Sequence, residues 1–291
     1  MRALLEAMRP YQWVKNLLVF APLIFAQRLF DTPQLIRATM AFVAFCLVAS
    51  GIYLLNDLRD IEKDRNHPEK CDRPLASGRL SPGVAWIACL VLEIVGLGIA
   101  WWEGFLWVPA VYLVVNLFYT YKLKRVVILD AMCVAIGFLL RVHAGGSAID
   151  VPVSSWLTLC TFFVALLLAF CKRRHEILIL GEDGKSHRAA LEDYSLSFLD
   201  QMIAVLGGLT VMCYALYTVA PETQANLHTS ELVYTVPFVT YGIFRYLFLV
   251  HQRAEGGDPT RLLLKDKLTV LNIFLWFLAS CFILYHKSWG I

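Results

Sequence analysis

The stretch Asn56–Gly78 reads NDLRDIEKDRNHPEKCDRPLASG and follows the apolar run MAFVAFCLVASGIYLL at Met40–Leu55. A segment that only had to leave a bilayer would close on a few lysines. This one closes on Asn56, Asp57, Asp60 and Asp64. On a helix, positions 57, 60 and 64 share one face, and 56, 60 and 64 stack likewise. Like charges at that spacing repel unless a cation lies among them. Carboxylate and amide oxygens are hard ligands suited to Mg2+, which keeps several waters and completes its shell with substrate phosphates. The competing reading is a solvated helix end whose acids pair with Arg59, Lys63 and Arg65. The acids keep one face while the basic residues fall mainly between them, which favours Mg2+ with a diphosphate. Lys70, Arg73 and Arg79 then add the side chains that usually meet phosphate oxygens. Pro74 and Gly78 mark a loop able to fold over such a site.

The rest of the chain agrees with a membrane setting. Of 291 residues, 58% are hydrophobic and the mean hydropathy is +0.61, against roughly 45–50% apolar residues in soluble domains. A spanning helix needs about 20 mostly apolar residues. Nine windows qualify: 16–30, 38–56, 82–101, 104–121, 127–148, 153–171, 199–220, 232–250 and 268–286. The first is short and carries Pro22; the fifth holds Arg141 and an AGG run, which predicts a break near its far end. No connection is long enough for a soluble domain, so the expectation is one all-α domain over residues 1–291, a bundle of nine transmembrane helices. The first residues lack the apolar core and cleavage site of a secretory signal, so no cleaved leader is expected. Eight cysteines, at 46, 71, 89, 133, 160, 171, 213 and 281, form no C-x-x-C pair and read as small buried hydrophobes.

Charge placement predicts the orientation. With the N-terminal tail and the loops after windows 2, 4, 6 and 8 on one side, that side collects 21 of the 26 Lys and Arg. The positive-inside rule makes it cytoplasmic, with the C-terminus outside. Of the 23 acids, 17 also lie there, although acids contribute little to orientation. Both signs on one face predict a polar site there. A transporter needs access from both sides and tends to show repeated halves; no internal repeat is evident.

The motif N-D-x-x-D-x-x-x-D with the following RPLASGRLS resembles the first aspartate motif of the UbiA superfamily of intramembrane prenyltransferases. That resemblance implies nine helices and a cytoplasm-facing, Mg2+-dependent diphosphate site. RPYQWVKNLLVFAPL (Arg9–Leu23), LDAMCVAIGFLLRVHAGG (Leu129–Gly146), KRRHEILIL (Lys172–Leu180), LEDYS (Leu191–Ser195) and GDPTRLLLKDK (Gly257–Lys267) are similar to the decaprenyl-phosphate phosphoribosyltransferase branch, over almost the whole chain and in that branch's order. The branch implies transfer of phosphoribose from phosphoribosyl diphosphate (PRPP) to a polyprenyl phosphate, with release of diphosphate and a product used in cell-wall biosynthesis. Most of the superfamily carries a second D-x-x-x-D at the cytoplasmic end of the sixth helix or in the loop after it. Here CKRRHE stands in its place, and a basic cluster suits a second anionic substrate.

The candidate residues follow. Asn56, Asp57, Asp60 and Asp64 are expected to ligate Mg2+ and the departing diphosphate, with Lys70 and Arg73 on its oxygens. Lys15 lies beside Trp13 and Tyr11 as interface anchors; topology alone explains it, while the QWVKN resemblance implies phosphate contact. Lys124 and Arg125 carry the same ambiguity. Of Lys172, Arg173 and Arg174, one or two are expected at substrate. Glu176 is either a further metal ligand or the partner of those cations. Arg141 lies inside a membrane segment, where a charge is costly; it binds phosphate or ties helices, with Asp130 as one candidate partner. Asp130 is also a candidate for the ribose hydroxyls, and Arg245 is expected in helix packing. For Lys265 the resemblance implies a site role, and Asp266 fits a helix cap. His143, His175 and His187 lack metal spacing.

Three functions fit. The first is phosphoribosyl transfer to a polyprenyl phosphate, with room for a homo-oligomer. The second is prenyl transfer from a polyprenyl diphosphate to an aromatic or lipid acceptor, against which the missing second motif counts. The third is a non-catalytic carrier, which the one-sided charge disfavours. Nucleic acid is not an expected partner.

Overall fold

A computed structural model describes residues 2–66, 70–180, 193–252, 257 and 259–286. The sequence expectations at His187, Lys287, Leu191–Glu192 and Asp258 lie outside them. The order is α1 (Arg2–Met8), a 3-10 helix (Pro10–Phe20), α2 (Ala21–Phe25), α3 (Thr32–Arg59), α4 (Ile61–Arg65), α5 (Pro82–Trp102), α6 (Trp107–Tyr121), α7 (Leu129–Ala148), α8 (Ser155–Leu180), α9 (Leu196–Val219), α10 (Pro221–Leu227), α11 (Val236–Gln252), α12 (Pro259–Lys265) and α13 (Lys267–Tyr285). No strand occurs among the described residues.

Local chemistry sets several starts. Asp31 accepts from Gln34 N, Ser81 from Val84 N and Ser195 from Phe198 N, which satisfies orphan amides at the heads of α3, α5 and α9. Pro33 and Pro82 sit in the first turns of α3 and α5, where a missing N–H costs nothing.

Each of the nine windows contains helix, and among the described residues seven helices are long and apolar enough to cross a membrane: Thr32–Arg59, Pro82–Trp102, Leu129–Ala148, Ser155–Ile179, Leu196–Val219, Glu231–Gln252 and Lys267–Tyr285. The expected nine crossings are two more than these helices supply by length and composition. The first window divides among the end of the 3-10 helix, the five residues of α2 and the turn that follows, with Pro22 inside it. The fourth, α6, has 15 residues and at 1.5 Å per residue falls short of a hydrocarbon core of about 30 Å. The predicted break in the fifth window is absent, since α7 runs unbroken to Ala148. The charged KRRHE run, expected at the end of the sixth helix or in the loop after it, lies within α8.

The chain forms two compact units. The first comprises Met1–Leu23, Asp31–Lys122 and Leu140–Pro152. In it α3 packs along α5, and Ala7, Leu54, Leu75, Leu80, Ala85 and Cys89 make a buried cluster. A Cβ on Gly145 would lie 1.8 Å from the Val19 carbonyl oxygen, so α7 meets the 3-10 helix backbone to backbone at this glycine. The Trp13 indole N–H donates to Ser50 Oγ at 3.1 Å, against α3. The second unit comprises Ile24–Phe30, Leu123–Leu139 and Val153–Ile291. Its core joins Ala131 and Ala135 to Leu167, Phe170, Leu199, Ile203, Leu249 and Leu262.

Candidate active site

In the first unit, α3 ends at Arg59 and α4 starts at Ile61, with Asp60 at the junction in a non-helical conformation. The hydrogen-bond ladder survives: Asp60 N donates to Asn56 O at 3.0 Å and Asp64 N to Asp60 O at 2.8 Å. The helical spacing expected for the acids is therefore kept across the joint. Asp57 and Asp64 are 2% and 5% exposed, and they converge on one guanidinium. Arg73 Nη1 lies 3.1 Å from Asp57 Oδ1 and 2.7 Å from Asp64 Oδ2. A second cation, Arg9, donates through Nη2 to Asp57 Oδ1 at 2.5 Å and stands over the Tyr53 ring at 5.1 Å. Burial pushes the Asp64 carboxyl above its ordinary range, while the charges of Arg73 and Lys70 pull it down.

The basic residues between the acids leave this cluster. Arg59 stacks on Tyr121, 4.0 Å from the ring centre, and Arg65 pairs with Glu62 at 2.8 Å. Arg79, expected at phosphate, holds Glu6 of α1 through both Nη atoms at 2.8 and 2.9 Å and donates to the Asp72 carbonyl. The alternative in which Arg59, Lys63 and Arg65 neutralise the acids thus loses Arg59 and Arg65, and the loop arginine Arg73 takes that position.

The buried carboxylates of Asp57 and Asp64 are hard oxygens of the kind Mg2+ takes, and Arg9 and Arg73 supply the positive charge opposite them. Among the described residues no three His, Cys, Asp or Glu side chains are gathered closely enough to hold a metal by themselves. A cation there needs part of its shell from water or phosphate, as Mg2+ ordinarily does.

Deeper in the same unit, Arg141 is 4% exposed. Its Nε donates to Asn16 Oδ1 at 2.7 Å and its Nη2 to the Tyr112 hydroxyl at 3.1 Å, so it ties α7 to the 3-10 helix and α6. On α6, Tyr112, Asn116 and Thr120 fall one turn apart, and Thr120 Oγ1 lies 2.6 Å from Asn56 Oδ1. Lys15 is half-buried in the 3-10 helix.

The second unit has its own polar centre. Asp130 is fully buried; Arg173 Nε reaches its Oδ2 at 2.5 Å and the Tyr194 hydroxyl donates to its Oδ1 at 2.9 Å. Arg173 Nη1 also meets Glu176 Oε2 at 2.9 Å, which gives Glu176 the role of cation partner. Arg174 turns to Asp200 at 2.6 Å, and Lys172 is exposed. Lys124 is half-buried and Arg125 exposed in a short 3-10 turn. Arg245 grips Asp266 at 3.1 and 2.8 Å, and Asp266 caps α13 through Thr269 N at 2.9 Å; these bonds hold the Asp266 carboxyl far below the ordinary range. Lys265 is exposed.

Sequence reasoning missed Arg9, Asn16, Tyr112, Thr120, Tyr194 and Asp200. Arg9 and Tyr194 lie in the quoted stretches RPYQWVKN and LEDYS, yet nothing local names their partners. Arg9 alone carried a structural hint, as it precedes Pro10 in a left-handed conformation (φ 55°), which a non-glycine residue adopts at some cost.

Comparison with known proteins decides the lineage. The model of the UbiA prenyltransferase family matches residues 17–278. The chain belongs to this family. It is 36% identical over 286 residues to decaprenyl-phosphate phosphoribosyltransferase of Mycolicibacterium smegmatis, covering 94% of this chain and 89% of that one. Identity to the enzyme of the same name from Corynebacterium glutamicum is 35% over 284 residues, covering 94% and 84%. A solved UbiA homolog from Archaeoglobus fulgidus bound to GPP and Mg2+ superposes with a TM-score of 0.70 at 20% identity, covering 96% and 98%; at that identity the likeness establishes the fold. With seven helices among its described residues fit to cross a bilayer, this UbiA member is an integral membrane protein.

Proposed function

We propose that this UbiA member transfers 5-phosphoribose from PRPP to a polyprenyl phosphate of the decaprenyl type, releasing diphosphate, in a Mg2+-dependent reaction. The observation that carries this reading is the identity of about 35% over 94% of the chain to two decaprenyl-phosphate phosphoribosyltransferases. The buried Asp57–Arg73–Asp64 constellation supports it chemically.

In this reading Asn56, Asp57, Asp60 and Asp64 would hold Mg2+, which when bound would supply charge neutralisation for a departing diphosphate. Arg9 and Arg73 hold Asp57, and Arg73 holds Asp64, in place. Lys70 and Arg73 meet phosphate oxygens; Lys15 and Arg141 are further candidate cations of the first unit for a phosphate-bearing substrate, and Lys124, Lys172 and Lys265 are those of the second unit. The nucleophile is an oxygen of the lipid phosphate, already ionised near neutral pH, so positioning dominates over proton removal. Asp130 and Glu176 fix Arg173, and through it the basic run at the end of α8. The chain acts as one catalytic domain with nine membrane passages, its N-terminus and active site cytoplasmic. A homo-oligomer is compatible with this chemistry.

Thermal unfolding in detergent tests the donor. PRPP with Mg2+ should raise the midpoint, and chelation should abolish the rise. Protection by a prenyl diphosphate and none by PRPP would transfer the chain to the prenyl-transfer reading.

A further inference from the structure

One hydrogen atom on α6 is claimed twice. Thr120 is 1% exposed, and its Oγ1 lies 2.7 Å from the Asn116 carbonyl oxygen and 2.6 Å from Asn56 Oδ1. A hydroxyl has one proton to give, so two oxygens at those distances cannot both receive it. The carbonyl one turn back is the usual acceptor of a helical threonine. With the proton committed to Asn116 O, the Asn56 contact needs a donor from the other side. Exchanging the amide oxygen and nitrogen of Asn56, which are alike in shape, supplies it. Nδ2 then donates to Thr120 Oγ1, and the Asn56 amide oxygen turns to the position where, among the described residues, no partner is recorded. A buried hydroxyl that fixes an amide in this sense does what partners of metal ligands do elsewhere: it selects which atom faces the ion.

We propose that Thr120 is a positioning residue: by accepting the Asn56 amide N–H, it directs the Asn56 carbonyl oxygen toward the cation and diphosphate held by Asp57, Asp60 and Asp64. The inference rests on the proposed function for the identity of that ligand. Its geometry is confined to the first unit, where α3 and α6 bring Asn56 and Thr120 together. The consequence concerns symmetry. An asparagine ligates through one of two unlike atoms and needs orienting; an aspartate offers oxygen on both sides and does not.

The test is a double-mutant cycle read by thermal protection in detergent, with Mg2+ titrated at fixed PRPP. Thr120→Val should raise the Mg2+ concentration for half-maximal protection about 10-fold, the lower end of what loss of such a partner costs. Thr120→Ser should restore it, which mere loss of packing would not allow. In an Asn56→Asp background, Thr120→Val should change the Mg2+ requirement less than 2-fold. Should Thr120→Val fail to fold, Thr120→Ala takes its place in both backgrounds. Unchanged Mg2+ dependence in the Thr120→Val protein overturns the positioning role, as does an equal loss with and without Asn56→Asp. Wild-type protein that PRPP and Mg2+ never protect overturns the proposed function itself and this role with it.

Discussion

Asp57 stands between two guanidiniums, Arg9 and Arg73, and shares Arg73 with Asp64. For Asp64, burial outweighs the arginine and raises the carboxyl pKa. The folded protein therefore holds this proton to a higher pH than the unfolded chain does, and the ionised form that binds a cation appears only as pH rises through the raised value. Mg2+–PRPP affinity should accordingly fall on acidification before ordinary carboxylates titrate, near 4. Asp64→Asn should remove that limb of a pH–affinity profile as well as most of the affinity. The Arg173–Asp130 pair is buried on both sides, so removing one partner strands a charge. Arg173→Ala should lower stability by about 3–5 kcal/mol, and a hydrophobic double replacement, Arg173→Met with Asp130→Leu, should recover much of it; denaturant unfolding in detergent measures both.

At the scale of elements, the contact between α7 and the 3-10 helix depends on Gly145. A methyl group there meets the Val19 carbonyl oxygen, a backbone atom that cannot rotate away. Gly145→Ala should cost about 3 kcal/mol, the upper end of ordinary overpacking, and should shift the 3-10 helix that carries Arg9's neighbours; thermal unfolding and yield of folded protein in detergent check it. This glycine belongs to the run that the sequence marked as a break. The periodic pattern cannot tell a glycine that ends a helix from one that admits a neighbour, because the difference lies in a residue 126 positions away in the chain. For the same reason α8 outruns its apolar window: its basic end is stable as helix because Asp130, Glu176 and Asp200 receive it.

At the scale of the molecule, the hydropathy and the aspartate motif made the membrane class and the acid cluster legible, since both are local in sequence. The partners that define the cluster were not. Arg9 meets Asp57 across 48 positions and Tyr194 meets Asp130 across 64, and no spacing rule reaches that far. The charge asymmetry predicts sidedness that labelling can check. Asp150 and Glu62 are both exposed. In a cysteine-free background, an impermeant maleimide should modify Asp150→Cys in intact cells and Glu62→Cys only after lysis. The reverse pattern would place the acid cluster outside.

The central claim is the reaction, and the most direct measurement is transfer of label from PRPP radiolabelled in its ribose to polyprenyl phosphate in detergent with Mg2+. The wild type should carry label into the organic phase, and Asp57→Ala or Asp64→Ala should reduce the rate at least ~100-fold. No label in lipid across several chain lengths, with prenyl transfer to an aromatic acceptor instead, would contradict it.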